Sequence, residues 1–495
     1  MLARHFAAAV ELADAAGEPE VAEAARVPAV TWLISAGEHA MRVNPAGAFA
    51  MLDRAVDIAE DGSRDRALAL SLSARAGRRS GLADPREVLR RYEGSLSIYR
   101  SLGDVLGMGS ALTSVGSQLG AIGESARSGE MLAEAVRVLE AAPPGRELAR
   151  AYAYRAEEEM FAGRVRHSME FADRALDLVG GTGNDELVVM CLHIRGDARC
   201  SLGDPAGLDD LRRALRLAEQ TGNAADVVTS QSYLTDWLWA MEGPAAGLVH
   251  AEEGTTIAER RGVVDQGLWT KAGVVGLRFD LGDWDGATGA CDEILAVGSE
   301  RLDGALLAVA RTMVSRIAGL RGRPGEADSP ETLLGLARPV AELHALCPAL
   351  AVAAELAIAD GRRSDAAAYL EEFASVTHGV AAEYRESRLA SVARCCVEAG
   401  VPSLAQRMVE ESGGVVRRDR LNVLSARATL AEAAGGAEAA AELYSEAAEG
   451  WRRFSNPFEE AEALLGRSRC ADEPAADRRG RDLLRRLGVS TTRPR

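Results

Sequence analysis

Glycine residues recur along this chain at a nearly constant spacing. Nine of them lie at successive distances of 40, 40, 40, 39, 40, 39, 39 and 35 residues. These corner glycines are Gly123, Gly163, Gly203, Gly243, Gly282, Gly322, Gly361, Gly400 and Gly435. Glycine readily adopts the left-handed conformation that ends many helices, and so steady a period is typical of stacked helical repeats.

One copy of the pattern reads SLGDPAGLDDLRRALRLAEQTGN, from Ser201 to Asn223. Positions 8, 12 and 15 after its corner are Leu211, Leu215 and Ala218, a spacing that forms an apolar stripe along one helix face. Seven residues before most corners stands a small residue, here Gly196, which lets two helices cross closely. The sequence therefore predicts an all-α, right-handed solenoid of roughly ten helical hairpins.

The same pattern resembles the tetratricopeptide repeat. The resemblance rests on the small residue in the first helix, the glycine corner and an alanine five residues after it, and it extends from about Ala46 to Gly488. The usual unit has about 34 residues, so a period near 40 implies helices that are each longer by less than a turn. Alanines stand at this position in five copies: Ala287, Ala327, Ala366, Ala405 and Ala440.

The order of segments predicts the domain organisation. Earlier second helices are expected at Pro45 to Asp61 and at Asp84 to Asp104, and RGRPGEADSP (Arg321 to Pro330) interrupts the pattern. The predicted parts are an N-terminal helical junction segment (1–44), a first solenoid part (45–322), an irregular loop (323–330), a second solenoid part (331–488) and a frayed tail (489–495).

Charge and composition exclude several classes of partner. Acidic residues number 74 and basic residues 57, so the net charge of −17 disfavours binding to nucleic acid or anionic lipid. No long uncharged apolar stretch is present, and the seven cysteines lie without a C-x-x-C pair. We therefore expect a cytoplasmic protein that does not enter the membrane.

The sequence offers little support for catalysis. The one lysine, Lys271, lies in GLWTKAG, which does not match a phosphate-binding loop, and is expected at a helix surface. Cys191 and His193 are two positions apart on a helix and point away from each other, so no metal site is predicted in CLHIRGDARC. The acidic run Glu157, Glu158 and Glu159 is interpreted as a solvated helix face. We predict no catalytic residues, no metal and no cofactor.

Aromatic residues are scarce, yet four of the six tryptophans fall between Trp237 and Trp284. In tetratricopeptide-like arrays the first helices line a concave groove, and the positions about thirteen, ten and six residues before each corner face that groove. Gly276, at one such position, is expected to leave room for a ligand. The alternative is that the rings pack between repeats. The candidate ligand-binding residues are His193, Asp197, Tyr233, Trp237 and Trp269.

Both ends of the chain resemble parts of signal-transduction ATPases. The segments MLARHFAAAVELADAAGEPE and VTWLISAGEHAMRVNPAGAFAMLDRAVDIAED resemble the junction between the ATPase domain and its repeats, and AAAELYSEAAEGWRRFSNPFEEAEALLGRSRC resembles the closing repeats. The group includes bacterial proteins with a class III adenylate cyclase domain and large ATP-binding LuxR-type regulators. The resemblance implies a sensor or regulatory array, either a stand-alone product or a fragment.

The resemblance also implies the kind of partner. No ATPase, cyclase or helix-turn-helix segment is recognised, so a protein or small effector is expected in the concave groove, with a separate ATPase or cyclase as a further candidate partner. A LuxR-type regulator would continue into a DNA-binding domain, whereas this sequence stops seven residues after LLRRLG. That ending favours the cyclase-like parentage.

Overall fold

The computed structural model describes residues 2–41, 44–179, 185–298, 302, 304–340, 342–379 and 383–490. Within these ranges the chain forms α-helices, one short 3-10 helix and turns, with no β-strand, which confirms the predicted all-α repeat fold. None of the described helices is long and apolar enough to cross a membrane.

The chain divides into two compact units, residues 1–191 and 192–495. The helices of the first unit are α1 (Leu2–Ala16), α2 (Pro19–Ala40), α3 (Pro45–Ile58), α4 (Arg64–Ser80), α5 (Pro85–Leu102), α6 (Val105–Ala121), α7 (Ser125–Glu140), α8 (Arg146–Phe161), α9 (Val165–Val179) and the first residues of α10 (Asp185–Ser201). Those of the second unit are the rest of α10, α11 (Ala206–Thr221), α12 (Ala224–Met241), α13 (Pro244–Arg261), α14 (Val264–Leu281), α15 (Trp284–Leu295), α16 (Gly304–Leu320), α17 (Pro330–Val340), α18 (Leu343–Ala359), α19 (Arg363–Val376), α20 (Glu383–Glu386), α21 (Leu389–Glu398), α22 (Pro402–Glu410), α23 (Arg417–Ala433), α24 (Ala437–Phe454), α25 (Pro457–Ala471) and α26 (Pro474–Arg486).

Most helices pair with the next helix along the chain. We term the first helix of each hairpin its A helix and the second its B helix. The described helices form twelve such hairpins rather than roughly ten, because two of them precede the first of the nine corners and one follows the last. The A helices are α2, α4, α6, α8, α10, α12, α14, α16, α18, α21, α23 and α25.

The predicted corners are confirmed. All nine corner glycines have a positive φ, between +69° and +128°. Residues with a Cβ atom are strained in this region, so glycine lets each A helix end and the chain reverse. Side chains then cap many of the following helices; Asp283, for example, accepts a hydrogen bond from the backbone N–H of Gly286 at 3.0 Å, at the start of α15.

Small residues let the two helices of a hairpin approach closely, as the sequence predicts. A Cβ atom added at Gly196 of α10 would lie 2.9 Å from the carbonyl oxygen of Gly207 and 2.8 Å from Leu211 Cγ, both on α11. At Gly116 of α6 it would lie 2.7 Å from Leu132 Cγ on α7. In these two hairpins the residue seven positions before the corner therefore sets the distance between the paired helices.

The interruption at 321–330 lies inside the second unit, in the corner between α16 and α17. It contains the short 3-10 helix Pro324–Glu326, and Asp328 there accepts a hydrogen bond from Arg311 Nε at 2.7 Å. Of the tail, the N–H of Ser490 donates to the Leu320 carbonyl at 3.1 Å, and residues 491–495 lie outside the described ranges. The predicted division of the solenoid at 323–330 stays a prediction.

The second unit winds back on itself. Aromatic and aliphatic side chains of α14 to α16 pack against those of α25 and α26 in one buried cluster. Phe279 stacks on Trp284 with ring centroids 5.2 Å apart, and Phe458 of α25 lies 5.8 Å from Trp284. The last hairpin therefore covers the corner of a hairpin that lies about 180 residues earlier in the chain, at Gly282, where an added Cβ would meet Leu487 Cδ2 at 2.8 Å and Pro457 Cγ at 2.9 Å.

This contact predicts unequal effects of one substitution at two corners. Gly282→Ala and Gly400→Ala both place a Cβ at a positive φ, but the space around Gly400 is open, with no atom within 4 Å. We expect Gly282→Ala to cost about 1–3 kcal/mol more than Gly400→Ala, because Pro457 is rigid and Leu487 is buried. Urea denaturation of both variants measures the difference, and equal losses would contradict the packing of α25 and α26 on this corner.

Candidate functional site

Two of the predicted site residues stack on each other between α10 and α12. The His193 ring lies 5.0 Å from the Tyr233 ring at an interplanar angle of 20°, and its Nε2 is 2.7 Å from Ser230 Oγ. Only 5% of His193 is exposed, and burial lowers its pKa to about 4. The imidazole is therefore neutral near pH 7 and serves as a buried hydrogen-bonding group.

Two more of the predicted site residues, Asp197 and Trp237, form a hydrogen bond one turn further along α10 and α12. Trp237 Nε1 donates to Asp197 Oδ1 at 2.9 Å. The indole is 7% exposed and packs in a cluster that includes Leu211 and Leu234. Burial raises the pKa of Asp197 to about 6, although the hydrogen bond from Trp237 opposes the shift. Trp237 thus has the surroundings of a core residue with one polar contact.

The fifth residue, Trp269, lies apart from these pairs. Its ring contacts the edge of the His344 ring at 4.7 Å. The room expected above Gly276 is filled, because a Cβ atom there would lie 2.6 Å from Cη2 of Trp239. The structure therefore brings together His193 with Tyr233 and Asp197 with Trp237, and places Trp269 against another ring. The ligand-binding role of the five residues stays a prediction.

A shift of one position in α12 explains why Trp237 is buried. In α10 the small residue against the B helix stands seven positions before the corner, but in α12 it is Thr235, eight positions before Gly243. Gly243 also has a φ of +128°, larger than at the other corners. As a result Asp236 takes the solvent-accessible position, which counting from the corner had assigned to Trp237.

The A helices of the second unit carry charged side chains on the face turned away from their B helices, which we term the inner face. Arg316 and Glu355 form a bidentate pair at 3.0 and 2.9 Å, and Arg394 and Glu459 another at 2.8 and 2.7 Å. The second pair joins α21 to α25, which lie 65 residues apart in sequence. These pairs neutralise part of the charge that the fold encloses.

Two inner-face charges have no such partner. Among the described residues, no opposite charge lies within 4.0 Å of Asp236 or Arg388. Surrounding protein raises the pKa of Asp236 to about 6, and Arg418 opposes this shift. Burial, together with the nearby cations Arg418 and Arg316, lowers the pKa of Arg388 to about 10. Sequence reasoning did not identify either residue, because Asp236 stood at a position expected to be small and Arg388 lies at the start of a helix.

The first unit has a different inner face. Arg78 on α4 donates from Nη1 to Ser117 Oγ at 3.3 Å, and Arg150 on α8 donates from Nη2 to Ser114 Oγ at 3.2 Å. Both serines lie on α6, between the two arginine-bearing helices. Burial raises the pKa of Glu157, on the same stripe of α8 as Arg150, to about 7, and Arg78 opposes the shift.

The sequence contained a signal for the inner face of the first unit. Counting six residues back from a corner selects Ser117 and Glu157, and counting thirteen back from Gly163 selects Arg150. The predicted site followed the aromatic cluster before Gly203, Gly243 and Gly282 and so did not include these positions. The interpretation of Glu157 to Glu159 as a solvated face was wrong for Glu159, which is 3% exposed and pairs with Arg155 at 2.5 Å.

The residues considered for catalysis have structural contacts. Lys271 Nζ lies 2.6 Å from Glu293 and 3.1 Å from Glu259. Burial would lower the pKa of Lys271, but these pairs outweigh it and raise the value. In the described part of the chain, no three histidine, cysteine or carboxylate side chains lie together as metal ligands do.

Truncation of Trp237 tests whether its indole belongs to the core. Trp237→Ala removes a buried ring and should cost about 3–5 kcal/mol. Trp32→Ala, at a tryptophan that is 43% exposed, serves as the control and should cost much less. Chemical denaturation monitored by circular dichroism compares the two. Wild-type stability of Trp237→Ala would show that the indole does not support the fold.

Asp236 predicts a dependence of stability on pH. The folded-state pKa near 6 is higher than the ordinary value of 3.8, so the carboxyl contributes most to stability below pH 4 and loses that contribution as the pH rises through 6. Asp236→Asn should therefore melt at a higher temperature than wild type at pH 8, with little difference near pH 4. Asp209→Asn, at an exposed aspartate of α11, is the control. A difference that does not change with pH would contradict the shift.

Comparison with known proteins supports the fold. No protein-family model and no curated protein sequence matches the chain. Among solved structures, a Rap protein complexed with Competence and Sporulation Factor is similar with a TM-score of 0.52 and 15% identity, over 77% of this chain and 99% of that one. A signal-transduction ATPase with a tetratricopeptide repeat sensor from Pyrococcus horikoshii matches with a TM-score of 0.44 and 11% identity, over 78% of this chain and 52% of that one. The likeness to the Rap protein shows a tetratricopeptide-like helical repeat fold.

Proposed function

We propose that this chain is a non-catalytic repeat scaffold that binds a protein partner or a small effector on the inner faces of its A helices. The observation that carries the proposal is the presence of inner-face charges, Asp236 and Arg388 among them, for which the described fold supplies no ion-pair partner. A charge that is surrounded by protein without an opposite charge costs free energy, and this applies most to Arg388, which is partly buried. Such groups are therefore candidates for contact with a ligand.

The repeat architecture supports this proposal. Within each unit, stacked hairpins present an inner surface that suits an extended ligand. The Rap protein with a similar fold was solved complexed with Competence and Sporulation Factor. By the resemblance of its ends, the chain acts in the cytoplasm as the sensor or regulatory array of a bacterial signalling system. The alternative is a fragment or split part of an adenylate cyclase or ATPase regulator, with catalysis on another domain or chain.

The absence of catalysis is tested with the purified chain. We expect neither ATP hydrolysis nor cyclic nucleotide synthesis above the level of a buffer control, because the sequence has no phosphate-binding loop and its one lysine is held by two carboxylates. Turnover that persists through repeated purification and is lost in Lys271→Ala would overturn the non-catalytic assignment.

The binding surface is tested by cross-linking in the cells that carry the gene. The inner-face variant D236R/R388E exchanges two charges and keeps the net charge. The control D209R/R216E makes the same exchange at exposed positions of the B helix α11. We expect partners captured by wild type to be retained by the control and lost by the inner-face variant, provided that both variants melt as wild type does. Equal capture by all three would contradict binding at this face.

A further inference from the structure

The inner face of the first unit carries four arginines without an acidic partner. Arg75 and Arg78 lie on α4, and Arg146 and Arg150 lie on α8. Among the described residues, no carboxylate oxygen lies within 4.0 Å of any of these guanidinium groups. Elsewhere in this acidic chain arginines commonly pair with carboxylates, as Arg91 does with Glu87 at 3.0 Å. The four arginines therefore form a cationic patch.

Two arginines of this patch contact the same helix, α6, which lies between α4 and α8. Arg78 reaches Ser117 from one side and Arg150 reaches Ser114 from the other, at 3.3 and 3.2 Å. The two serines are three positions apart, about 4.5 Å along the helix axis. Guanidinium groups of the two neighbouring A helices therefore both reach hydroxyl groups of α6.

The arginines also interact unfavourably with one another. Burial lowers the pKa of Arg75, and the neighbouring cations Arg150 and, to a smaller extent, Arg146 lower it further, while Tyr92 and Glu38 act in the opposite direction. Like charges held close together in this way repel one another. An anion placed between α4 and α8 would remove that repulsion.

The chemistry of the patch narrows the class of anion. A guanidinium group binds carboxylate or phosphate oxygens through two parallel hydrogen bonds. Arg78 and Arg150 contact α6 at two positions along its axis, Ser117 and Ser114. Their spacing therefore suits several oxyanions along an extended segment better than one small ion. Glu157 on the same face and the net charge of −17 disfavour a continuous polyanion such as nucleic acid.

We propose that the inner face between α4 and α8 binds an anionic segment of a protein partner through Arg75, Arg78, Arg146 and Arg150. The proposal rests on the assignment of the chain as a binding scaffold, and it adds the location and the charge of the partner. Carboxylate side chains and phosphorylated side chains both supply the required oxyanions. The ring of Tyr154, 5.5 Å from the Arg150 guanidinium carbon, borders the patch and helps to orient that arginine.

Fluorescence anisotropy with defined peptides tests the proposal on the full chain. The probes are a labelled twelve-residue peptide with glutamate at alternate positions, the same peptide with phosphoserine at those positions, and a glutamine version as the neutral control. We expect both anionic peptides to bind, with an affinity that falls as salt rises, and the glutamine peptide to bind at least about tenfold more weakly. The tighter of the two anionic peptides identifies the source of the oxyanion.

Matched variants locate the binding. Arg78→Gln with Arg150→Gln should weaken binding of the anionic peptides by about tenfold or more. Arg137→Gln with Arg166→Gln, at exposed arginines of the B helices α7 and α9, removes the same charge and should change binding less than about twofold. Circular dichroism and melting temperature confirm that both variants are folded.

Three results would overturn the proposal. They are equal binding of the glutamine peptide, equal losses in the two double variants, and tighter binding of single-stranded DNA or of inorganic phosphate than of either anionic peptide. None of these results bears on the cross-linking experiment with D236R/R388E, which concerns the second unit. Failure here and failure of the scaffold assignment are therefore distinguishable.

Discussion

The two helices of a hairpin in this protein lie so close together that their backbones nearly touch. At Gly196 a single added carbon atom would lie 2.9 Å from a carbonyl oxygen of the facing helix. Such an approach requires a small residue at the crossing and a residue with positive φ at the turn, and the chain supplies both about every 40 residues. Where hairpins share this geometry, they stack with the same A-helix face turned inward, and the inner surface follows from the crossing.

The corner glycines acquire a second role where the second unit winds back. Gly282 permits the turn and also leaves space for Pro457 and Leu487 of the last hairpin, whereas Gly400 permits the turn alone. Long-range polar contacts strengthen the same closure: Asp280 accepts hydrogen bonds from Trp239 at 2.8 Å and from Asn456 at 3.1 Å. Apolar packing at the corners and hydrogen bonds nearer the inner face thus stabilise one arrangement.

Charge is distributed differently on the two inner faces. In the second unit most enclosed arginines form pairs with carboxylates, such as Arg316 with Glu355, so the residual charge is confined to a few groups. In the first unit Arg78 and Arg150 reach only serine hydroxyls, and the cationic charge stays without an ion pair in the described fold. A buried pair mainly maintains structure, whereas an unpaired set of like charges favours an external anion.

The sequence by itself determined the all-α repeat fold, the nine corners and the small residues at the helix crossings, because these depend on local conformation and on a period visible in one dimension. It also contained most of the inner-face positions, since Ser117, Arg150 and Glu157 follow from counting back from a corner. Only the tertiary structure decided that Trp237 is buried while Asp236 reaches solvent, because a shift of one position at Gly243 rotates that stretch of α12 by about 100°. Only the tertiary structure revealed which charged side chains pair. Partners such as Arg394 and Glu459 are 65 residues apart and meet only because the second unit winds back.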